Sequence, residues 1–189
     1  MRFFLPLLVL LLSLNGAAQA TPEQAQSTVV LHTSAGEITI RLYPDKAPVS
    51  VANFLAYARE GYYNGTIFHR VVRRFVIQAG GFTADGVQKP TTRDPIVNES
   101  GNGLYNDRWT VAMARPSDPN GASSQFYINL RTNSDLNKKG DAPGYAVFGE
   151  VIDGQYVARD ISLKPTHSAN GMDDFPIEPV VIHRVEIRE

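Results

Sequence analysis

The sequence predicts a mainly β protein whose short antiparallel strands close into a barrel capped by two helices. Short runs rich in β-branched residues recur along the chain, and glycine, asparagine and proline separate them as turn residues do. Only two segments show the spacing of apolar residues that is typical of a helix. These patterns alone do not distinguish a barrel from a sandwich, and neither an internal repeat nor a domain linker is evident.

The fold begins with a strand hairpin followed by a helix. Residues 28–32 and 38–43 are alternating, β-branched runs, with Gly36 in the turn between them. Pro48 suits the first turn of a helix because its missing N–H costs nothing there. A helix is predicted over Val49–Arg59, where apolar residues recur at helical spacing: Val51, Phe54, Leu55 and Ala58.

The remaining elements are predicted in the same way. Residues 83–108 are rich in glycine, proline, aspartate and asparagine, which indicates a long loop. The second helix is expected over Gln155–Ile161, and the segment from Pro165 to Pro176 is interpreted as a turn without chemistry of its own. Strands are predicted over Phe68–Val72, Phe75–Ala79, Thr110–Ala114, Gln125–Leu130, Tyr145–Val151 and Val180–Ile187.

Composition narrows the classes of function. The chain has 189 residues, of which 43% are apolar, and this length suits one compact domain with its own core. Its formal net charge of −1 provides no long-range field for nucleic acid or an anionic membrane surface. The absence of cysteine excludes disulfides, thiolate zinc sites and a cysteine nucleophile. The four histidines show no metal-ligand spacing, so a metal site is not expected.

The N-terminus has the features of an export signal. Arg2 precedes an apolar run from Phe3 to Leu12, and Ala18-Gln19-Ala20 fits a cleavage site. The apolar run is shorter than the about 20 residues that an ordinary membrane span needs, although an uncleaved anchor is the alternative. A signal peptide is predicted over 1–20, a flexible leader over 21–27 and one domain over 28–189. The expected location is the periplasm of a Gram-negative bacterium, with secretion as the alternative.

Two motifs connect the predicted strands with a known family. The first runs from Phe68 to Phe82 and carries an arginine, aromatic residues and a glutamine before a double glycine. The second contains Met113-Ala114-Arg115 and then Ser123 to Asn129. Together they resemble the active-site strands of cyclophilins, which are peptidyl-prolyl cis/trans isomerases. The resemblance extends from Thr28 to Ile187, is greatest to the bacterial periplasmic branch, and implies an eight-stranded barrel.

The implied reaction sets a simple chemical requirement. Rotation about a peptide bond meets a barrier of about 18–20 kcal/mol, and an X–Pro bond therefore interconverts over tens to hundreds of seconds. Faster rotation requires weaker amide resonance, but it needs no nucleophile, metal or redox cofactor. A fixed cation that donates a hydrogen bond near the proline nitrogen, beside a dry apolar pocket for the ring, would meet the requirement.

The resemblance assigns a role to each candidate residue. Arg70 matches the catalytic arginine, for which an always-charged planar donor is suitable, while the alternative is an exposed strand arginine in a surface ion pair. Residues implied to line the proline pocket are Phe75, Val76, Tyr127 and Leu136, with Tyr145 at its rim. Those implied to orient the arginine or bind the substrate backbone are Gln78, Gln125, Ala114 and Arg115.

Several positions limit what the resemblance implies. Tyr127 replaces the usual phenylalanine, and its hydroxyl is expected to reach water or the substrate. Asp135 stands where an aromatic residue often contacts cyclosporin, so tight inhibition by that drug is not expected. Trp109 stands where glycine is usual and is expected to cover barrel surface or alter a loop. His69 is interpreted as structural, since no proton is transferred, and Phe126 as core.

The leading hypothesis is a monomeric prolyl isomerase that acts on proline-containing segments of unfolded or folding exported proteins, without nucleic acid or stable membrane insertion. A proline-peptide binding module or holdase with incidental turnover is the main alternative. A small-ligand carrier barrel would need a hollow interior, whereas the bulky residues Phe68, Val147 and Phe148 indicate a filled one.

Overall fold

The computed structural model describes residues 28–188, so the predicted signal peptide and leader lie outside the described residues. Within this range no helix is both long and apolar enough to cross a bilayer. The helices are α1 (Pro48–Arg59) and α2 (Gln155–Ile161), with a short 3-10 helix at Ser134–Leu136. The strands are β1 (Thr28–Thr33), β2 (Gly36–Leu42), β3 (Thr66–Val72), β4 (Val76–Thr83), β5 (Thr110–Met113), β6 (Phe126–Asn129), β7 (Val147–Asp153), β8 (Thr166–Ala169), β9 (Met172–Pro176) and β10 (Ile182–Arg188).

Eight of these strands form one antiparallel sheet in the order β10-β1-β2-β7-β5-β6-β4-β3. The sheet curls until its edge strands approach each other, and the seam holds an isolated bridge between Ile67 and Val181. The Phe68 N–H also donates to the Val180 carbonyl at 3.1 Å. Because no continuous ladder joins β3 to β10, the barrel is incompletely closed. The mainly β class with eight strands and two helices is confirmed, and the prediction of full closure is slightly overstated.

The interior of the curled sheet is filled with aliphatic and aromatic side chains. Phe54 of α1 lies at its centre, with ring centroids 5.1 Å from Tyr63 and 5.3 Å from both Phe126 and Phe148. All four rings are fully buried. Such aromatic pairs stabilise a core beyond the area that they bury. Among residues 28–188 the interior of the curled sheet is thus packed with side chains, as its bulky residues indicate.

A second, smaller apolar cluster lies on the other face of strands β4, β5 and β6. Successive side chains of a strand point to opposite faces, so Phe126 and Ile128 enter the core while Tyr127 between them does not. The buried members of this outer cluster are Val76, Ala112, Ala114, Tyr127 and Val147, and the half-buried ones are Phe75, Leu104, Leu136 and Tyr145. An apolar patch of this kind on the outside of a barrel is the natural place for a binding site.

The region predicted as a plain turn from Pro165 to Pro176 is instead a two-stranded hairpin of β8 and β9. Asn170 and Gly171 have φ angles of +54° and +73°, as the two central residues of a tight hairpin turn require. Asn-Gly is a strong hairpin signal, but the flanking strands contain too few apolar residues to show alternation. The hairpin packs β9 against β3, and so it stands beside Arg70.

Candidate active site

A surface cavity of about 420 Å³ lies over the outer apolar cluster. Residues from β3, β4, β6 and the segments that flank β5 and β7 converge there because their outward-facing positions share one side of the sheet. The lining residues are Arg70, Phe75, Val76, Gln78, Ala114, Arg115, Tyr127, Leu136 and Tyr145. Of the predicted site residues only Gln125 is outside this lining, and it lies in the adjoining cleft.

Arg70 stands at the junction of this cavity with the adjoining cleft. It pairs with Gln78 across the β3–β4 ladder, after an irregularity in the register between Phe68 and Arg70. Its side chain is 41% exposed, and its Nε lies 3.8 Å from Asp174 Oδ2. A half-exposed ion pair of this length is worth about 0–1 kcal/mol, so it restrains the guanidinium only weakly. Arg70 therefore combines the surface ion pair with a position on the cavity wall.

The two predicted glutamines bind each other. Gln78 Nε2 donates to Gln125 Oε1 at 2.8 Å, and within residues 28–188 neither side chain has a hydrogen bond to Arg70. The double glycine of the motif makes this arrangement possible. A Cβ at Gly81 would lie 2.6 Å from the Gln125 side chain, and one at Gly80 would lie 2.8 Å from the Ser124 carbonyl. The glycines thus let β4 pass closely beneath the segment that presents Gln125.

The apolar wall consists of rings and aliphatic groups. Val76 and Tyr127 are buried, Phe75 and Leu136 are half-buried, and the Tyr127 and Tyr145 rings meet edge to face at 5.9 Å. The expectation that the Tyr127 hydroxyl reaches water or substrate is wrong. This hydroxyl points into the protein and donates to Asn106 Oδ1 at 2.7 Å, and burial raises its pKa well above the ordinary value.

Asn106 is a positioning residue that the sequence did not reveal. Besides the Tyr127 hydroxyl, its Oδ1 accepts a hydrogen bond from Asn129 Nδ2 at 3.2 Å. Its Nδ2 donates to the backbone carbonyls of Leu136 at 3.2 Å and Tyr145 at 3.3 Å. One fully buried amide therefore ties together three residues of the cavity wall. Asn106 lies in an Asn/Asp-rich loop without periodicity, where nothing in the sequence distinguishes it from a turn residue.

Arg115 and Ala114 form the opposite rim. The Arg115 guanidinium lies 4.6 Å from the Tyr145 ring centre, and its Nε donates to the Gly144 carbonyl at 3.2 Å. These contacts fix the rim because a planar guanidinium both stacks and donates. The Ala114 N–H donates to the Gln125 carbonyl at 3.0 Å. The Ala114 N–H is therefore already engaged within the protein.

His69, next to Arg70, lines the adjoining cleft and not this cavity. Its ring is 3% exposed and lies 4.5 Å from the Phe82 ring. Burial lowers the pKa of His69 to about 4, and the Ile67 backbone and the Gln125 side chain oppose this effect only in part. The imidazole is therefore neutral at pH 7, as its interpretation as a structural residue requires.

His69 leads to a testable dependence of stability on pH. The unfolded chain, with an ordinary histidine pKa near 6.5, binds its proton first as the pH falls. Unfolding free energy should therefore be lost between about pH 6.5 and pH 4, by about 3 kcal/mol for this group. Unfolding free energies from urea titrations at several pH values should decrease less steeply with falling pH for His69→Gln than for the parent. An equal dependence of the unfolding free energy on pH in the two proteins would show that His69 is not held neutral.

The two departures from the family pattern have clear structural settings. Asp135 is 93% exposed and pairs with Lys139 at 2.8 Å, and this ion pair lowers the pKa of the Asp135 carboxyl. An aspartate at this position provides no aromatic wall for the cavity. Trp109 has a φ of +73°, a conformation that glycine adopts more easily. Its half-buried ring packs on the core, and Arg108 lies over it at 4.6 Å. Trp109 thus covers barrel surface.

A family model and the relatives compared with this chain all indicate the same family. Residues 28–187 match the family of cyclophilin type peptidyl-prolyl cis-trans isomerases. The chain is 52% identical over 164 residues to a peptidyl-prolyl cis-trans isomerase of Streptomyces antibioticus, with 85% of this chain and 98% of the relative covered. It is 46% identical over 164 residues to peptidyl-prolyl cis-trans isomerase B of Escherichia coli, with coverage of 85% and 99%.

A solved structure is also similar. A cyclophilin type peptidyl-prolyl cis-trans isomerase of Cryptosporidium parvum, crystallised in the presence of the dipeptide Ala-Pro, matches with a TM-score of 0.71 and 28% identity. The match covers 86% of this chain and 99% of that one. The similarity therefore extends over almost all of the described fold, and it includes the strands that carry the cavity.

Proposed function

The chain belongs to the cyclophilin-type peptidyl-prolyl cis-trans isomerases and is an enzyme of that class, and from this premise we propose that Arg70 accelerates X–Pro rotation in exported proteins. The observation that carries the proposal is the position of Arg70. Its guanidinium stands at the edge of a cavity of about 420 Å³, which is large enough for a proline ring and whose wall includes Phe75 and Tyr127. Proline-containing polypeptides are the proposed substrates.

The proposed mechanism needs only binding and electrostatics. The proline ring enters the wall formed by Phe75, Val76 and Tyr127, which excludes water from the reacting bond. Arg70 then donates a hydrogen bond toward the proline nitrogen as that nitrogen becomes pyramidal. The donation favours the twisted amide, in which the nitrogen lone pair no longer conjugates with the carbonyl. No covalent bond forms or breaks, and no proton moves.

The glutamine pair and the rim hold the rest of the substrate. Gln78 and Gln125 are hydrogen-bonded to each other at 2.8 Å. Both residues also line the cleft beside Arg70, where their remaining amide groups can bind the substrate. The Ala114 carbonyl and the Arg115 backbone offer an edge for an extended peptide. Holding one side of the X–Pro bond while the other rotates converts binding energy into a lower barrier.

Action on exported proteins rests on the N-terminal signal features of residues 1–20. Expressed as the full chain in a Gram-negative host, the protein should accumulate in the periplasm with Thr21 as its first residue. Fractionation with N-terminal sequencing measures this directly. Replacing Leu8 and Leu11 by arginine should leave the precursor uncleaved in the cytoplasm, because charge interrupts the apolar run. A parent protein that stays uncleaved and membrane-bound would contradict cleavage and favour an anchor.

A further inference from the structure

A second cleft, of about 480 Å³, opens on the far side of Arg70 from the proline cavity. The two share Arg70 and Gln78 as a common wall, so they form one continuous surface. The outer wall of the second cleft is the β8–β9 hairpin, which contributes Asp173 and Asp174. We call this space the hairpin cleft.

The hairpin cleft carries more negative than positive charge. Asp174 Oδ2 lies 3.8 Å from Arg70 Nε, whereas Asp173 has no cationic partner within the described part of the chain and accepts only a hydrogen bond from Ser168 Oγ at 2.7 Å. His69, whose pKa is lowered to about 4 by burial, contributes no charge at pH 7. Two carboxylates therefore face a single guanidinium.

The acidic wall is built into the fold. Asp174 has a φ of +60°, a conformation that aspartate tolerates better than most residues, and β9, which carries it, packs against β3, which carries Arg70. The hairpin also packs closely on the loop after β4, since a Cβ at Gly86 would lie 1.9 Å from Asn170 Nδ2. The tip of the hairpin therefore lies against this loop.

The inner wall of the hairpin cleft also holds a buried nitrogen that has no hydrogen-bond partner within the described range. His69 lines the hairpin cleft, is 3% exposed, and its buried Nδ1 has no hydrogen bond of normal geometry among residues 28–188. A buried polar group without a partner is uncommon and calls for an explanation, of which a water, an ion or another bound group is one. Because the hairpin cleft and the proline cavity adjoin at Arg70, a peptide bound in the cavity can extend into the cleft.

We propose that the hairpin cleft is a subsite for residues that flank the isomerised proline, and that Asp173 and Asp174 make it select a lysine or arginine side chain. An extended peptide advances about 3.3 Å per residue, so a side chain two or three positions from the proline passes Arg70 and enters the cleft. Its ammonium or guanidinium group would meet Asp173 directly and share Asp174 with Arg70. This inference rests on the proposed function of the neighbouring cavity.

The test compares kcat/KM for matched proline peptides that carry lysine, glutamine or glutamate at each of the three positions on either side of the proline. At low ionic strength the parent protein should prefer lysine to glutamine by about five-fold at one of these positions, and salt should reduce the preference. The double variant Asp173→Asn, Asp174→Asn should bring the ratio close to one. Asn tolerates the positive φ of position 174, so folding should be retained.

Two further variants make the result specific. Asp173→Lys should shift the preference toward glutamate, whereas Glu37→Gln with Asp160→Asn, an equal change of charge on the β2–α2 side, should keep the preference for lysine. Equal rates for all peptides in the parent, or an unchanged ratio in the double variant, would overturn the inference and leave the isomerase function intact. Absence of turnover with every peptide would instead overturn the proposed function, and this inference with it.

Discussion

Replacing Arg70 by alanine should lower kcat/KM for a short X–Pro peptide by about 100- to 1000-fold, the usual cost of removing one fixed donor that stabilises developing charge. The fold should persist, because Arg70 is 41% exposed and its ion pair with Asp174 at 3.8 Å contributes little to stability. The circular dichroism spectrum and the melting temperature should therefore remain close to those of the parent.

Two comparisons make this result specific to the guanidinium. Arg70→Lys keeps the charge but loses the planar fork, so it should recover only a small part of the rate. Arg73→Ala removes an exposed arginine from the turn that follows the same strand and should retain the parent rate. If Arg70→Ala turned over peptide at the parent rate, Arg70 would have no part in the mechanism.

The second large effect is expected for Phe75→Ala, which removes the half-buried ring at the edge of the proline cavity. Apolar burial of this size is worth about 1.5–3 kcal/mol, so kcat/KM should fall by about 10- to 100-fold. The backbone at this position should stay in place, since the Phe75 carbonyl accepts hydrogen bonds from Leu130 N at 2.9 Å and Asn133 Nδ2 at 3.1 Å.

The matched variants for Phe75 separate ring contact from general loss of apolar surface. Phe75→Leu keeps part of the apolar volume and should lose less than ten-fold in kcat/KM. Tyr156→Ala truncates an aromatic ring of α2 that is 65% exposed and does not line the cavity, so it should retain the parent rate. Parent-like turnover of Phe75→Ala at low substrate concentration would exclude this ring from the proline wall.

Periodic elements were predictable from the sequence because their signals are local. The helix Gln155–Ile161 has the predicted bounds, and the helix at Pro48–Arg59 begins one residue earlier than predicted. Phe126 was interpreted as core and Tyr127 was assigned to the pocket from the resemblance, and the two residues lie in different apolar clusters on opposite faces of β6. The predicted cavity residues came from the resemblance, since their grouping depends on sheet order rather than on any local pattern.

Features that depend on long-range polar contacts were not predictable. Asn106 contacts Tyr127, 21 positions away, and the backbone of Tyr145, 39 positions away, through an irregular loop. The approach of Asp174 to Arg70 requires the packing of β9 on β3, which no periodicity indicates. The incomplete closure of the barrel was likewise not predictable. An isolated bridge between Ile67 and Val181 produces the same sequence pattern as a full strand ladder.

Arg70, at the edge of the cavity, is proposed to drive turnover as well as binding. The most direct test of this role is protease-free exchange NMR on an X–Pro peptide with a substoichiometric amount of the purified protein, with Arg70→Ala measured beside it. We expect cis–trans exchange cross-peaks with the parent and their loss with Arg70→Ala, while peptide binding by that variant remains detectable. Saturable binding without exchange by the parent, or undiminished exchange by Arg70→Ala, would contradict the role of Arg70 in turnover.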